Sequence, residues 1–379
     1  MGKRIIGFDA KRIVRNGTGL GNYCRTLVND LAAIVPDDWQ LRLYAPDAGR
    51  DDLRRQVEGA QHVQMVYPEG RRLKIQRSLW RIGPITNDLK RDGVGLYHGL
   101  TGELPMGIRK KGIRTVVTIH DLIFMRHPEY YHWLDTKIYT WKFHRTLREA
   151  DRIIAISERT KQDIIELGGI SGDRIDVVYQ SCSPRFTTDV PPTLAAEVRA
   201  HYGLPQRFIL SVGSIEERKN LLLAVSALCQ LPTDIHLVAV GKPTKYAEKV
   251  TMEARRLGVG DRVHLLHGVP DTHLQALYHE AEVFVYPSRY EGFGIPIIEA
   301  IYCGLPVVAA TGSCLEEAGG PDCLYVSPDD AEELAAAITR QLHGAEGREQ
   351  RIRQSRDYVR RFEGRDVAAQ VLDIYRQLL

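Results

Sequence analysis

Short apolar runs rich in β-branched residues recur along the chain, and each is followed by a stretch with helical spacing. In the first half the strand-like runs are 5–9, 41–44, 62–67, 94–97, 115–119, 153–156 and a short one at 177–178. The second half restarts the pattern at 208–212, 235–240, 263–267, 283–286, 306–309 and 324–326, with helices expected over 221–228, 246–257, 272–279, 297–302 and 331–341. Strands that are apolar throughout and alternate with helices predict parallel sheets covered on both faces. Two such sheets in series predict an α/β fold of two facing Rossmann-like domains. Pro184, Pro191, Pro192, Gly203 and Pro205 cluster between the halves and mark a boundary. The expected division is residues 1–190, residues 191–357, and a terminal helix within 358–379 that crosses back to the first domain.

Other stretches are less regular. Residues 11–21 read as a glycine-rich loop before a helix over 22–34, and residues 46–60 as a polar connection. Ser157 is placed to cap a helix. Residues 71–91 are strongly basic, with Arg71, Arg72, Lys74, Arg77, Arg81, Lys90 and Arg91 interleaved with Leu79, Trp80 and Ile82. That mixture fits either a solvated charged face or a surface that meets an anionic, membrane-bound partner through apolar anchors. Between Tyr130 and Arg148 a helical stretch is dense in aromatic residues.

Composition narrows the field. The 379 residues are 44% hydrophobic and 26% charged, the balance of a globular protein with real cores. A net charge of +3 from 51 basic and 48 acidic residues gives no general case for nucleic acid. Six scattered cysteines lack metal-site spacing and fit a reducing compartment, with Cys229 and Cys303 expected in the core. No signal peptide or bilayer-spanning run is visible, which suggests a cytoplasmic protein.

Candidate chemistry gathers at the ends of strands, where parallel-sheet proteins place functional side chains. After the run 283–286 comes Pro287-Ser288-Arg289-Tyr290-Glu291-Gly292-Phe293-Gly294-Ile295-Pro296, then Ile297-Ile298-Glu299. Pro296 suits a first helical position and Glu299 a first turn, so this loop can hold an anion or a hydroxylated ligand. Gly17-Thr18-Gly19-Leu20-Gly21 comes after the first strand, but its spacing is neither a dinucleotide fingerprint nor a Walker A sequence. Its backbone can still approach an anion closely. His120 and His98 end strands and are functional or structural; Asp121 orients His120 or caps the next segment. Lys219 opposes the dipole of the helix behind it, a local cost that a bound anion would offset.

Taken together, these features resemble the retaining glycosyltransferases of family 4, which have the GT-B fold and use nucleotide-sugar donors. The resemblance rests on Glu291 and Glu299 as an E-x7-E pair, the Gly17–Gly21 loop, Thr118-Ile119-His120-Asp121-Leu122, Ala155-Ile156-Ser157-Glu158, and Val212-Gly213 with Arg218-Lys219-Asn220 behind it. It implies that Lys219 neutralises the donor diphosphate and that Glu291 faces the sugar, ringed by the backbone of Gly292, Phe293, Gly294 and Ile295. Glu299 would hold the ribose, the segment Gly268 to Leu274 with Val269 would border the base, and His120 would contact the transferred sugar. Gly19, Leu20 and Gly21 would close onto the diphosphate from the opposite domain. Many family members have an arginine after the glycine matching Gly213, whereas Ser214 stands here, so either Arg218 compensates from the next turn or the phosphates rely more on backbone N–H groups.

The resemblance further implies front-face transfer with retention, no required cofactor and no catalytic metal. GDP-mannose is the first donor expected, and UDP-glucose or another UDP-sugar the second. The Gly17–Gly21 loop and Lys219-Asn220 look like mannosyltransferases of O-antigen and capsule synthesis. The acceptor would be a glycan or a polyprenyl-diphosphate-linked oligosaccharide near residues 71–91 and 126–145, with peripheral association at the cytoplasmic face of the inner membrane. Alternatives are an epimerase or phosphorylase of the same architecture, or a non-catalytic GT-B scaffold. Lys219, Glu291 and Glu299 together argue against the scaffold.

Overall fold

The computed structural model describes residues 3–70 and 74–379, so Arg71 and Arg72 of the basic stretch lie outside the described residues. The chain divides into two compact units, residues 1–181 with 362–379 and residues 182–361.

The first unit is built on seven strands: β1 (Arg4–Asp9), β2 (Trp39–Tyr44), β3 (Val63–Val66), β4 (Val94–Gly99), β5 (Arg114–Ile119), β6 (Arg152–Ala155) and β7 (Ile175–Val177). They lie in the order β3-β2-β1-β4-β5-β6-β7, and every pairing is parallel. The second unit has β8 (Arg207–Val212), β9 (Ile235–Val240), β10 (Val263–Leu266), β11 (Val283–Tyr286), β12 (Val307–Ala310) and β13 (Leu324–Val326). Their order is β10-β9-β8-β11-β12-β13, again parallel throughout. Both sheets reverse direction of strand addition beside their first strand. That places a crevice beyond the carboxyl ends of β1 and β4 in one unit and of β8 and β11 in the other. These are two Rossmann-like units, the architecture of the GT-B fold.

In the first unit Ile6 and Phe8 of β1 pack with Leu27, Val28 and Leu31 of the helix Gly19–Ala32 and with Val371 and Tyr375 of the terminal helix Gly364–Leu378. Each such side chain contributes about 1.5–3 kcal/mol when fully buried. Tyr375 also bonds His98 Nδ1 at 2.5 Å, and His98 Nε2 meets Thr118 Oγ1 at 2.8 Å. His98 is fully buried, and that burial pulls its pKa down to about 3. It is a satisfied structural histidine.

Several expectations need correction. The helix predicted from Asn22 begins at Gly19, and residues 11–15 form a short helix of their own. Trp80, read as an apolar anchor, is 1% exposed and donates its indole N–H to Asp88 at 2.6 Å. A side chain of that size was needed under the helix Ile85–Arg91 and Tyr97, and it fills the core there. Cys229 is exposed, because its helical turn ends at the surface; Cys303 is buried as expected.

Candidate active site

In the second unit the crevice is walled by the loops after β8 and β11. Gly213 ends β8 at φ +147°, and a Cβ on Gly241, which ends β9, would fall 1.8 Å from the Gly213 carbonyl oxygen. Only glycine lets these two strand ends touch backbone to backbone. The chain then runs through Ser214 to a 3-10 turn at Glu217–Lys219, and Asn220, at φ +55°, turns it into the helix Leu221–Ala227. The Asn220 amide donates to the carbonyls of Pro287 and Pro328, pinning this turn against the loop after β11.

Glu291 lies between two cations. Lys219 Nζ is 2.5 Å from its Oε1, and Arg218 Nη1 is 2.8 Å from its Oε2. Ser288 donates its hydroxyl to the same carboxylate at 2.5 Å. Burial opposes ionisation of Glu291, but Lys219 and then Arg218 outweigh it and hold the carboxyl down at about 2. Lys219 also donates to the Tyr286 hydroxyl at 2.7 Å and lies 4.9 Å from the centre of its ring. Arg218 is committed elsewhere as well, to the Tyr290 carbonyl at 2.5 Å and to Glu216 at 2.8 Å. Arg218 thus ties the turn before Lys219 to the loop carrying Glu291. Ser214 precedes the turn and carries no charge into the crevice.

Gly292, Phe293 and Gly294 are buried and lead into the helix Ile295–Tyr302. A Cβ on Gly294 would come 2.8 Å from the Ala318 methyl, so that glycine allows close packing of the next helix. The helix begins at Ile295, which makes Pro296 its second residue and carries Glu299 past the first turn. Glu299 therefore does not serve the helix N-terminus. It accepts the Tyr278 hydroxyl at 2.9 Å, and burial pushes its carboxyl up to about 7. Val269 is half-buried in the loop between β10 and the helix Asp271–Glu280.

The first unit supplies the other predicted residues. Gly19, Leu20 and Gly21 are the first turn of a 14-residue helix, not a loop. A Cβ on Gly21 would fall 1.8 Å from the Asn16 carbonyl oxygen, whereas nothing lies within 4 Å of one on Gly19. Gly21 is thus a packing requirement, and Gly19 offers exposed backbone at a helix N-terminus. Buried Arg25 fixes the approach by donating to the carbonyls of Ile13 at 2.9 Å and Asn16 at 2.8 Å. His120 comes directly after β5, with Nε2 2.8 Å from the Leu100 carbonyl and Nδ1 2.8 Å from the Gln180 amide nitrogen. The carbonyl can only accept and the amide only donate, so the ring is the neutral Nε2–H tautomer. Burial lowers its pKa to about 4. Asp121 accepts the Ile123 backbone N–H at 3.2 Å and so caps the next segment rather than orienting His120.

Sequence reasoning missed Tyr286, Ser288, Tyr278, Gln180 and Arg25. Only Ser288 stood inside a motif; the others act across separations that local pattern does not reveal. Among the described residues no three His, Cys, Asp or Glu side chains gather as a metal site would require.

Comparison with known proteins adds the class. Residues 17–183 match the family described as Glycosyltransferase Family 4, and residues 197–358 match Glycosyl transferases group 1. The O-antigen chain mannosyltransferase B of Escherichia coli is 30% identical over 288 residues, covering 75% of this chain and 74% of that one. Sucrose-phosphate synthase from Thermosynechococcus elongatus superimposes with a TM-score of 0.79 at 23% identity, over 99% of each chain. Anabaena Alr3699/HepE, solved in complex with UDP and glucose, gives 0.73 at 19% identity, over 99% of this chain and 100% of that one.

Two Rossmann-like units with these matches define a sugar-nucleotide-dependent glycosyltransferase of GT-B architecture that acts on a glycan or lipid acceptor. The chain belongs to glycosyltransferase family 4, the group 1 glycosyl transferases, and is related to bacterial O-antigen mannosyltransferases.

Proposed function

We propose that the protein moves mannose from GDP-mannose onto a glycan or lipid-linked acceptor of surface polysaccharide synthesis, with retention of anomeric configuration. The observation that carries this reading is the Lys219–Glu291–Arg218 group at the crevice of the second unit, in which Glu291 keeps a second cation when Lys219 turns to an anion. The 30% identity to an O-antigen mannosyltransferase supports the choice of sugar.

In this reading Lys219 exchanges Glu291 for the donor diphosphate and stabilises the charge that builds as the sugar–phosphate bond breaks. Glu291 stays anchored by Arg218 and Ser288, facing the sugar. Glu299 accepts the ribose hydroxyls, and Val269 borders the base. Gly19, Leu20 and Gly21 present helix N–H groups to an anion. His120, neutral and locked, adds no positive charge beside an oxocarbenium-like centre. The leaving phosphate takes the acceptor proton, so no second carboxylate is required as in many glycosidases.

Thermal stabilisation by GDP against UDP tests the donor, and slow hydrolysis of a nucleotide-sugar panel tests the reaction. Stabilisation by UDP alone would replace GDP-mannose with a UDP-sugar. Absence of any stabilisation and any hydrolysis would overturn the transferase reading of this site.

A further inference from the structure

Of the thirteen exposed large hydrophobic side chains among the described residues, ten fall between Ile75 and Trp141 of the first unit. The helix Trp133–Glu149 buries only Phe143, Thr146 and Leu147 against its neighbours. At about 3.6 residues per turn these three share one side of the wheel. The opposite side carries Trp133, Leu134, Ile138 and Trp141, which are 47–59% exposed. Interleaved with them are Lys137, Arg145 and Arg148. Lys137 lies 5.0 Å from the Trp133 ring and Arg145 5.4 Å from the Trp141 ring. Asp135 falls off this face, and the Glu149 carboxylate is turned to accept the Gly107 backbone N–H at 3.0 Å.

A second apolar ridge adjoins. Ile75, Leu79 and Ile82 recur at helical spacing and are 45–67% exposed, and Met106, 46% exposed, is bonded to Ile82 through its backbone N–H at 2.6 Å. The turn Arg109–Lys111 joins ridge to helix, since Arg109 donates to the Arg148 carbonyl at 3.1 Å. Tryptophan and aliphatic side chains set among cations match the interface of an anionic bilayer. The apolar groups enter the acyl boundary and the cations meet lipid phosphates. No helix among the described residues is long and apolar enough to span a bilayer, so the contact is peripheral.

We propose that this face of the first unit docks the protein on an anionic membrane surface, with Trp133 and Trp141 as anchors and Lys110, Lys137 and Arg148 as the electrostatic contact. The surface belongs to the first unit, and the proposal does not depend on the donor assigned to the second. It also replaces buried Trp80 with anchors that solvent reaches.

The four tryptophans make the test direct, because Trp39 and Trp80 are 3% and 1% exposed while Trp133 and Trp141 are 59% and 55% exposed. Purified full-length protein is mixed with phosphatidylcholine vesicles with or without phosphatidylglycerol. Co-sedimentation and tryptophan emission are recorded at low and high salt. Binding to the anionic vesicles, a blue shift, and weakening by salt are expected. Trp133→Ser with Trp141→Ser should abolish the shift and reduce binding. Each cation near the surface is worth about fivefold (about 1 kcal/mol), so Lys110→Gln with Lys137→Gln should lower partitioning about 30-fold. Thermal melting of each variant checks that it is folded. Equal binding to neutral and anionic vesicles, no binding, or a dimer whose tryptophan emission is already blue-shifted without lipid would overturn the proposal.

Discussion

If Glu299 holds the ribose, donor binding should weaken as the pH falls from 8 to 6. Burial pushes this carboxyl up to about 7, with the Tyr278 hydroxyl and Arg185 pulling down and Asp271 pushing up. Ribose hydroxyls bind the ionised form best, since a protonated carboxyl gives up acceptor capacity. With a midpoint near 7, about one molecule in ten is ionised at pH 6 and about nine in ten at pH 8, so affinity should rise about tenfold, or about 1.4 kcal/mol. Calorimetric titration with GDP-mannose or UDP-glucose suits this window, because neither pyrophosphate titrates within it. Repeating it in buffers of different ionisation enthalpy should show proton release at pH 6. Glu299→Gln should bind more weakly at pH 8 and show no slope. A flat wild-type profile, or a slope kept by the Gln variant, refutes the reasoning. The free protein gives a second signature. A carboxyl whose folded pKa is raised from 4.5 adds stability that is fully present below 4.5 and lost as pH rises through about 7. Glu299→Gln should therefore melt higher than wild type at pH 8 but not at pH 4, by at most about 3 kcal/mol.

Lys219→Ala should lower turnover about 10²–10³-fold, the range seen when one preorganised donor to a developing anion is lost. Single-turnover transfer measures it, and an unchanged rate removes Lys219 from the reaction. Gln180→Leu should leave His120 Nδ1 without its donor, costing about 1–3 kcal/mol by thermal unfolding and lowering turnover while nucleotide affinity holds. Loss of nucleotide affinity in that variant would contradict the assignment of His120 to the sugar side. Trp80→Ala should destabilise by about 3–5 kcal/mol in denaturant unfolding. A shift under about 1 kcal/mol would contradict its place in the core.

The sheets were legible because their strands are short and apolar on both faces, and β9, β11 and β13 span the residues the pattern predicts. Glycine was read less well. Gly19 and Gly21 look like loop residues, yet a helix accepts them when tight packing against Asn16 requires one of the two. Charge and aromatic content alone could not separate Trp80 from Trp141. Both sit among basic residues, and only the helix face turned toward Tyr97 and Leu89 makes the first a core residue. The family motifs marked Lys219 and Glu291, but their direct contact joins residues 72 apart. The bonds from Lys219 to Tyr286 and from Gln180 to His120 likewise span 67 and 60 residues. Such pairs are set by strand order, which composition and spacing do not encode.

That long-range contact changes how the donor site is understood. A lysine read from sequence stands ready for phosphate, but here it is held by a carboxylate whose other oxygen is already taken by Arg218. If Lys219 were the sole partner, its departure would leave a buried carboxylate uncompensated, at a cost of about 3–5 kcal/mol. Arg218 and the Ser288 hydroxyl remain bonded to Glu291 when Lys219 leaves, so the exchange toward phosphate stays within reach of ordinary binding energy. Arg218 sits behind the carboxylate and steadies Glu291 there.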